Sequence, residues 1–192
     1  MTEAETIKAA QNGNLAAFNR LVMTYQGLAF NVAARVMGDA DAAADATQEA
    51  FIKAYKAIKH YRGGSFKSWL MRIVSNTCYD QLRYEQRRPH EPLETDDGET
   101  DHSPHMLDPA DPPESQVEQH EMAQMLQHAI NQLPLEQRLI LVLSDVEGFS
   151  YQEIAETTNL ALGTVKSRLS RARTRLRDIL RREELLPAQY RQ

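Results

Sequence analysis

Apolar residues along this chain return at steps of three and four nearly everywhere, and almost no segment alternates with the two-residue period of a strand. Leu15, Phe18, Leu21, Val22, Tyr25, Leu28, Ala29, Val32 and Val36 form the first long stripe, which predicts a helix ended by Gly38. Ala50, Phe51, Ala54, Tyr55 and Ile58 predict a second helix, opened by Asp41 and Asp45, whose charges suit a helix N-terminus. Gly63-Gly64 marks a loop and Ser65 supplies a candidate N-cap. Phe66, Trp69, Leu70, Ile73, Val74 and Leu82 then predict a third helix ending near Arg87-Arg88-Pro89, with Phe66 and Trp69 turned inward by their spacing. Helical periodicity resumes at Val117 with Met122, Met125, Leu126, Ala129, Ile130 and Leu133, and Pro134 starts a further helix carrying Leu139, Ile140, Val142 and Leu143.

The last two elements are the most specific. Ser150 and Glu153 form an S-x-x-E capping box, which starts a helix by satisfying its orphan amides, and Asn159 stands where that helix should break in a left-handed residue. Val165, Leu169, Ala172, Leu176 and Ile179/Leu180 share the buried face of the next helix, leaving Lys166, Ser167, Ser170 and Arg171 pointing outward. That is the pattern of a helix-turn-helix presenting its second helix to a DNA major groove. From Gly163 to Arg182 there are eight Lys or Arg residues against the single acid Asp178. A solvated helix gains from mixed signs at i,i+4, so this bias favours phosphate and base-edge contacts over a plain charged face.

Charge changes the picture of the rest. The formal net charge of −5 divides into +3 for residues 1–87, −8 for residues 88–117 and 0 for residues 118–192. The acidity therefore belongs to the middle, where six prolines stand among few apolar residues. Such a segment cannot offset chain entropy by burial and is expected to be an extended or disordered linker. The predicted architecture is all-α: a helical domain over residues 1–88, an acidic Pro-rich linker over 89–116, a helix-turn-helix domain over 117–182 and a short tail over 183–192. Cys78 is the only cysteine, which excludes a disulfide framework within one chain and suggests a buried, inert thiol. The polar start with Glu3 and Glu5 is no signal peptide, and no apolar run approaches the ~18–20 residues that span a bilayer. A cytoplasmic, soluble protein with no direct membrane insertion is expected.

Taken in order, the motifs resemble those of the extracytoplasmic-function group (group 4) of bacterial sigma-70 factors. Asp45-Ala46-Thr47-Gln48-Glu49-Ala50-Phe51 resembles the group's D-x-x-Q-E-x-F helix. Phe66-x-x-Trp69-Leu70-x-Arg72-Ile73-x-x-Asn76-x-x-x-Asp80-x-x-Arg83 is similar to the helix after its promoter-melting loop. Leu133-Pro134-x-x-x-Arg138, Gly148-Phe149-Ser150-Tyr151-x-Glu153-Ile154-Ala155 and Gly163-Thr164-Val165-Lys166-Ser167-Arg168-Leu169 resemble its −35-reading domain.

The resemblance implies a region 2 bundle and a region 4 helix-turn-helix that bind core RNA polymerase, at its clamp coiled-coil and flap, and direct it to promoters. It places Asp45, Gln48, Glu49 and Ile52 on the clamp coiled-coil, although Asp45 and Glu49 would favour a helix N-terminus in any case. It assigns Arg62, Lys67, Asn76, Asp80 and Arg83 to single-stranded −10 DNA, with Asn76 lining the pocket for a flipped base. The residues themselves leave Arg72 and Arg83 open between phosphate contact and solvation. Lys166, Ser167, Ser170 and Arg171 are expected to read duplex −35 DNA, with Arg168 and Arg173 gripping phosphate from flanking faces. In the group the linker runs through channels that later hold RNA; here it reads equally as a nucleic-acid mimic and as a solvated tether. An anti-sigma factor is the group's usual control.

Gly163-Thr164-Val165-Lys166-Ser167 also resembles response-regulator helix-turn-helices, but those need a βαβ receiver and the N-terminal half reads as helices. An enzyme would need a phosphate loop, metal spacing or a nucleophile–base pair, none of which occurs; His102 and His105 alone make no metal site, and no cofactor is expected.

Overall fold

Thr2 begins the fold: its hydroxyl accepts from the Glu5 amide at 3.3 Å while the Glu5 carboxylate accepts from the Thr2 amide at 2.9 Å. This capping box opens α1 (Glu3–Gln11), a helix the apolar pattern did not announce. The computed structural model describes residues 1–87 and 113–182, and every regular element in them is helical. The stripe from Leu15 is α2 (Leu15–Met37), started by the Asn14 side chain and stopped by Gly38 in the left-handed region at φ 77°. Next comes α3 (Ala40–Ala57), capped by Asp39, whose Oδ1 accepts from the Ala42 amide at 2.7 Å, with Asp41 in its first turn. A 3-10 turn at Ile58–His60 leads into the Gly63-Gly64 loop, and Ser65 accepts the Ser68 amide at 3.1 Å to open α4 (Phe66–Arg87).

Small residues set the spacing of the first unit. Ala43, Ala46, Ala50 and Ala54 form a fully buried row on α3 that lets its backbone approach Ala29, Val32, Ala33 and Val36 of α2. Leu70, Met71, Val74 and Cys78 of α4 complete this core. Burial pushes the Cys78 thiol up to about 12, so it stays protonated and unreactive.

The second unit runs α5 (Pro113–Asn131), α6 (Leu135–Leu141), a π-type turn at Val142–Val146, α7 (Tyr151–Thr158) and α8 (Leu162–Arg182). Helix α5 starts at Pro113, earlier than the Val117 predicted, because proline is a good first helical residue. The acidic segment before it, with His102 and His105, lies outside the described residues, as does the tail. Ser150 and Glu153 make the capping box expected of them, and Asn159, at φ 55°, is the one non-glycine with positive φ among the described residues. Ile140, Leu143, Ile154 and Leu169 are fully buried here, each contributing about 1.5–3 kcal/mol.

The two units do not stand apart on a tether. Their buried side chains form one continuous cluster, and α2 packs on α5 and α6 while α4 packs on α7. Arg138 of α6 donates to the Val36 carbonyl at 2.6 Å, and also to the Asn131 and Leu133 carbonyls, so one guanidinium caps the C-termini of both α2 and α5. Gln127 donates to the Arg35 carbonyl at 3.1 Å and accepts from the Arg35 side chain at 3.1 Å. Gly38 lies so close to the Asn131 side chain that a Cβ would run into it.

Candidate nucleic-acid interface

Helix α8 owes its exposed face to its buried one. Val165, Leu169, Ala172 and Ile179 fix its rotation, which leaves Lys166, Ser167, Ser170, Arg171 and Arg173 in solvent. Lys166, Ser170, Arg173 and Arg177 then line a groove of about 370 Å³ with Tyr151 of α7. Arg171 borders the neighbouring groove with Arg175 and Thr174, and Ser170 touches both. The Ser167 hydroxyl is bonded to the Thr164 carbonyl at 3.0 Å.

The two expected phosphate grips differ from that expectation. Arg173 shares the stripe of Lys166 and Ser170 instead of a separate flank, and it makes a two-pronged pair with Asp145 at 2.7 and 2.9 Å. The π-type turn delivers Asp145 to this place, and Arg173 holds its carboxyl below the usual aspartate range. Arg168 is on the other side of α8, paired with Glu136 at 2.5 Å and facing α4. The acids missing from α8 itself are thus supplied by its neighbours.

On α3, Asp45, Gln48, Glu49 and Ile52 are all exposed, and they fall on one outer stripe. Glu49 is paired with Lys53 at 2.8 Å and accepts from Gln81 at 2.9 Å; together these hold its carboxyl below the usual range.

The −10 candidates meet a neighbour. Arg72, Asn76, Asp80 and Arg83 form one stripe of α4, with Arg83, Asp80 and Asn76 exposed. At the Arg72 and Asn76 end, α7 packs on α4, and with α6 and the turn after α7 it lines an open cleft of about 400 Å³ bordered by Asn76, Arg72, Glu136, Thr157 and Arg168. Arg72, partly buried, is engaged within the protein: it donates to the Thr157 carbonyl at 3.3 Å and to the Glu156 carbonyl. Lys67 is paired with Glu153 at 2.9 Å, and its ammonium sits 3.8 Å over the Phe149 ring. Lys67, with the Ser150 amide, holds the Glu153 carboxyl below its ordinary value. Arg62 stays exposed in the loop, apart from these contacts. Phe66 is buried and Trp69 packs partly buried beside it, as their spacing requires. Sequence reasoning assigns no contact to Arg138, Phe149, Glu136 or Asp145, although Arg138 and Phe149 stand inside the Leu133-Pro134 and Gly148-Ser150 motifs.

No helix among the described residues is long and apolar enough to cross a membrane, and no cluster of His, Cys, Asp or Glu there could hold a metal ion.

Comparison with known proteins fits this geometry. Residues 21–88 match the family model for sigma-70 region 2, and residues 123–176 match that for sigma-70 region 4. The chain is 37% identical over 173 residues to the RNA polymerase sigma-H factor of Pseudomonas aeruginosa, covering 89% of this chain and 90% of that one. It is 35% identical over 175 residues to the ECF RNA polymerase sigma-E factor of Escherichia coli K12, covering 90% and 91%. Among solved structures it resembles CnrH in complex with the cytosolic domain of CnrY (TM-score 0.65, 25% identity, 91% of this chain and 94% of that one). It also resembles the Bartonella quintana sigma factor RpoE in complex with the anti-sigma factor NepR (TM-score 0.64, 26% identity, 85% and 96%). Two sigma-70 regions in this order define a promoter-recognition factor for RNA polymerase. The chain belongs to the sigma-70 family, in its extracytoplasmic-function group, and acts in promoter-directed transcription initiation.

Proposed function

We propose that residues 1–88 act as the region 2 domain, binding core polymerase and the −10 strand, and residues 117–182 as the region 4 domain, reading −35 duplex. The observation that carries this is the pairing of one exposed polar stripe on α3 with one exposed basic face on α8, within the two matched regions. In this reading the α3 stripe docks on the polymerase clamp coiled-coil, and the second domain sits on the flap. Lys166, Ser170 and Arg171 contact base edges, and the Arg62 loop with Asn76 receives a flipped −10 base. Glu153, Phe149 and the end of α7 stand where that strand would pass α4, so the two domains separate when promoter DNA is engaged. One of the two similar solved structures is a complex with an anti-sigma factor, and such a partner is proposed for this chain too.

Run-off transcription from a promoter library tests the reading. Core polymerase should initiate specifically only with this chain present. Gln48→Ala with Glu49→Ala should reduce core-polymerase capture at least fivefold without changing thermal stability. Unchanged capture would remove the α3 stripe from the interface.

A further inference from the structure

Helix α1 lies outside the matched region 2, which begins at residue 21, yet its last side chain reaches the backbone from which the loop departs. Gln11, its last residue, extends its amide nitrogen to the Tyr61 carbonyl at 2.8 Å and to the Ile58 carbonyl at 3.3 Å. These carbonyls bracket the 3-10 turn from which the Gly63-Gly64 loop departs. Two acceptors require a donor, which fixes the amide's orientation. The Tyr61 hydroxyl in turn donates to the Gly64 carbonyl at 2.7 Å, so the loop is held at both ends through one residue. Tyr61 also stacks edge-on against Phe66 at 5.6 Å and leans on Trp69 at 5.3 Å. At the other end of α1, Glu3 accepts from Tyr25, whose ring packs on Phe66 at 5.6 Å.

Gly63 and Gly64 both have positive φ, 97° and 92°, and nothing packs within 4 Å of where their Cβ atoms would be. Such a segment has little of its own to hold a shape. Its order must come from its ends, and the Gln11 amide supplies the tie from outside the loop.

We infer that Gln11 is a positioning residue for promoter melting: its amide holds Tyr61 so that the Arg62–Ser65 loop is preshaped for the flipped −10 base. This rests on the proposed −10 role of that loop. A tie made before DNA arrives spares the strand the cost of ordering two glycines. The bonds are donor-only, so the inference separates side chains of similar length by chemistry. Gln11→Met fills the space without donating, Gln11→Glu sets a carboxylate against two carbonyls, and Gln11→Lys restores a donor.

The test uses holoenzyme reconstituted with core polymerase. Its probe is a single-stranded oligonucleotide carrying the −10 element that wild-type holoenzyme selects from random DNA, compared with versions abasic at each position. The readout is the affinity ratio between intact and abasic strands, which a generic change of charge or stability leaves alone. Gln11→Met and Gln11→Glu should lower this ratio about fivefold at the flipped position only, and Gln11→Lys should keep it near wild type. Quenching of Trp69, the sole tryptophan of the chain, should rise in the first two variants. A lowered melting temperature with an unchanged ratio would make Gln11 a purely structural cap and overturn the inference. If the wild type itself shows no dependence on any −10 base, the loop's proposed role falls and this inference with it.

Discussion

Lys166, Ser170 and Arg171 of α8 stand in solvent, whereas Lys67 and Arg72 of α4 are bonded to α7 and the exposed Asn76 borders a cleft lined by α6 and α7. Both helices carry a polar stripe suited to DNA, but that of α8 is exposed along its length, whereas α4 exposes Asn76, Asp80 and Arg83 and has its Lys67 and Arg72 end engaged by α7. The contrast follows from what each stripe must meet. Duplex DNA offers its groove edges ready-made, so a rigid helix face can read them at once. A flipped base exists only after melting, so engaging the Lys67 and Arg72 end of α4 costs nothing until the duplex has been met elsewhere.

Arg138 is the point at which this contrast is easiest to break. Its guanidinium holds carbonyls at the ends of α2 and α5 and is half-buried, with burial pulling its pKa down without neutralising it. Charged hydrogen bonds of this kind contribute ~1.5–3 kcal/mol each. Arg138→Ala should therefore destabilise the joined form by about 3 kcal/mol and raise amide exchange along α4 and at the C-terminus of α2. The α8 face should still bind −35 duplex to within about twofold. Exchange that rises uniformly over both units would mean that Arg138 holds the second domain together, not the pair.

A smaller effect separates residues within α8. Arg171→Ala should weaken discrimination at one or two −35 base pairs by ~1–3 kcal/mol, read from holoenzyme binding profiles over a duplex library. Arg173→Ala should lower affinity evenly across sequences and flatten the salt dependence. Because Asp145 already neutralises Arg173, that flattening should be well under one phosphate contact, and Asp145→Asn should steepen the slope. Identical profiles for the two arginine variants would refute the division between the two grooves.

Much of this was legible in the chain and some was not, for a physical reason. The Ser150–Glu153 box, the left-handed Asn159 and the Gly38 stop are local: partner and donor lie within a few residues, so spacing reveals them. The outward stripe of α8 follows from its inward one. Thr2 and Glu5 obey the same capping rule as Ser150 and Glu153, yet with little apolar periodicity after them α1 went unread. The contacts that join the two units are of another kind. Arg72, Gln127 and Arg138 all donate to backbone carbonyls, and every residue carries one, so no pattern of side chains marks the acceptor. The tether suggested independence, while side chains bound to backbone across the units show the opposite.

Glu153 offers the finest test, since it serves both its own helix and the partner domain. Glutamine is equally suited to the third position of a capping box, so Glu153→Gln keeps α7 started while removing the Lys67 ion pair. The pair is about a third exposed on both sides, which limits it to under ~1 kcal/mol and makes it salt-sensitive. The variant should bind single-stranded −10 DNA two- to fivefold more tightly than wild type at low salt, with the difference vanishing near ~0.5 M salt. The sign with pH is fixed by the carboxyl being held below its ordinary 4.5. Its contribution is complete above pH 4.5 and fades as pH falls through the lower folded value, because protonation removes the charge that Lys67 pairs with. Acidification through that window should raise strand binding by the wild type toward that of the variant, whose own curve lacks this step. If the two proteins bind the strand alike at neutral pH and low salt, Lys67 is accessible despite Glu153, and the engaged end of α4 must be guarded by Arg72 and α7 alone.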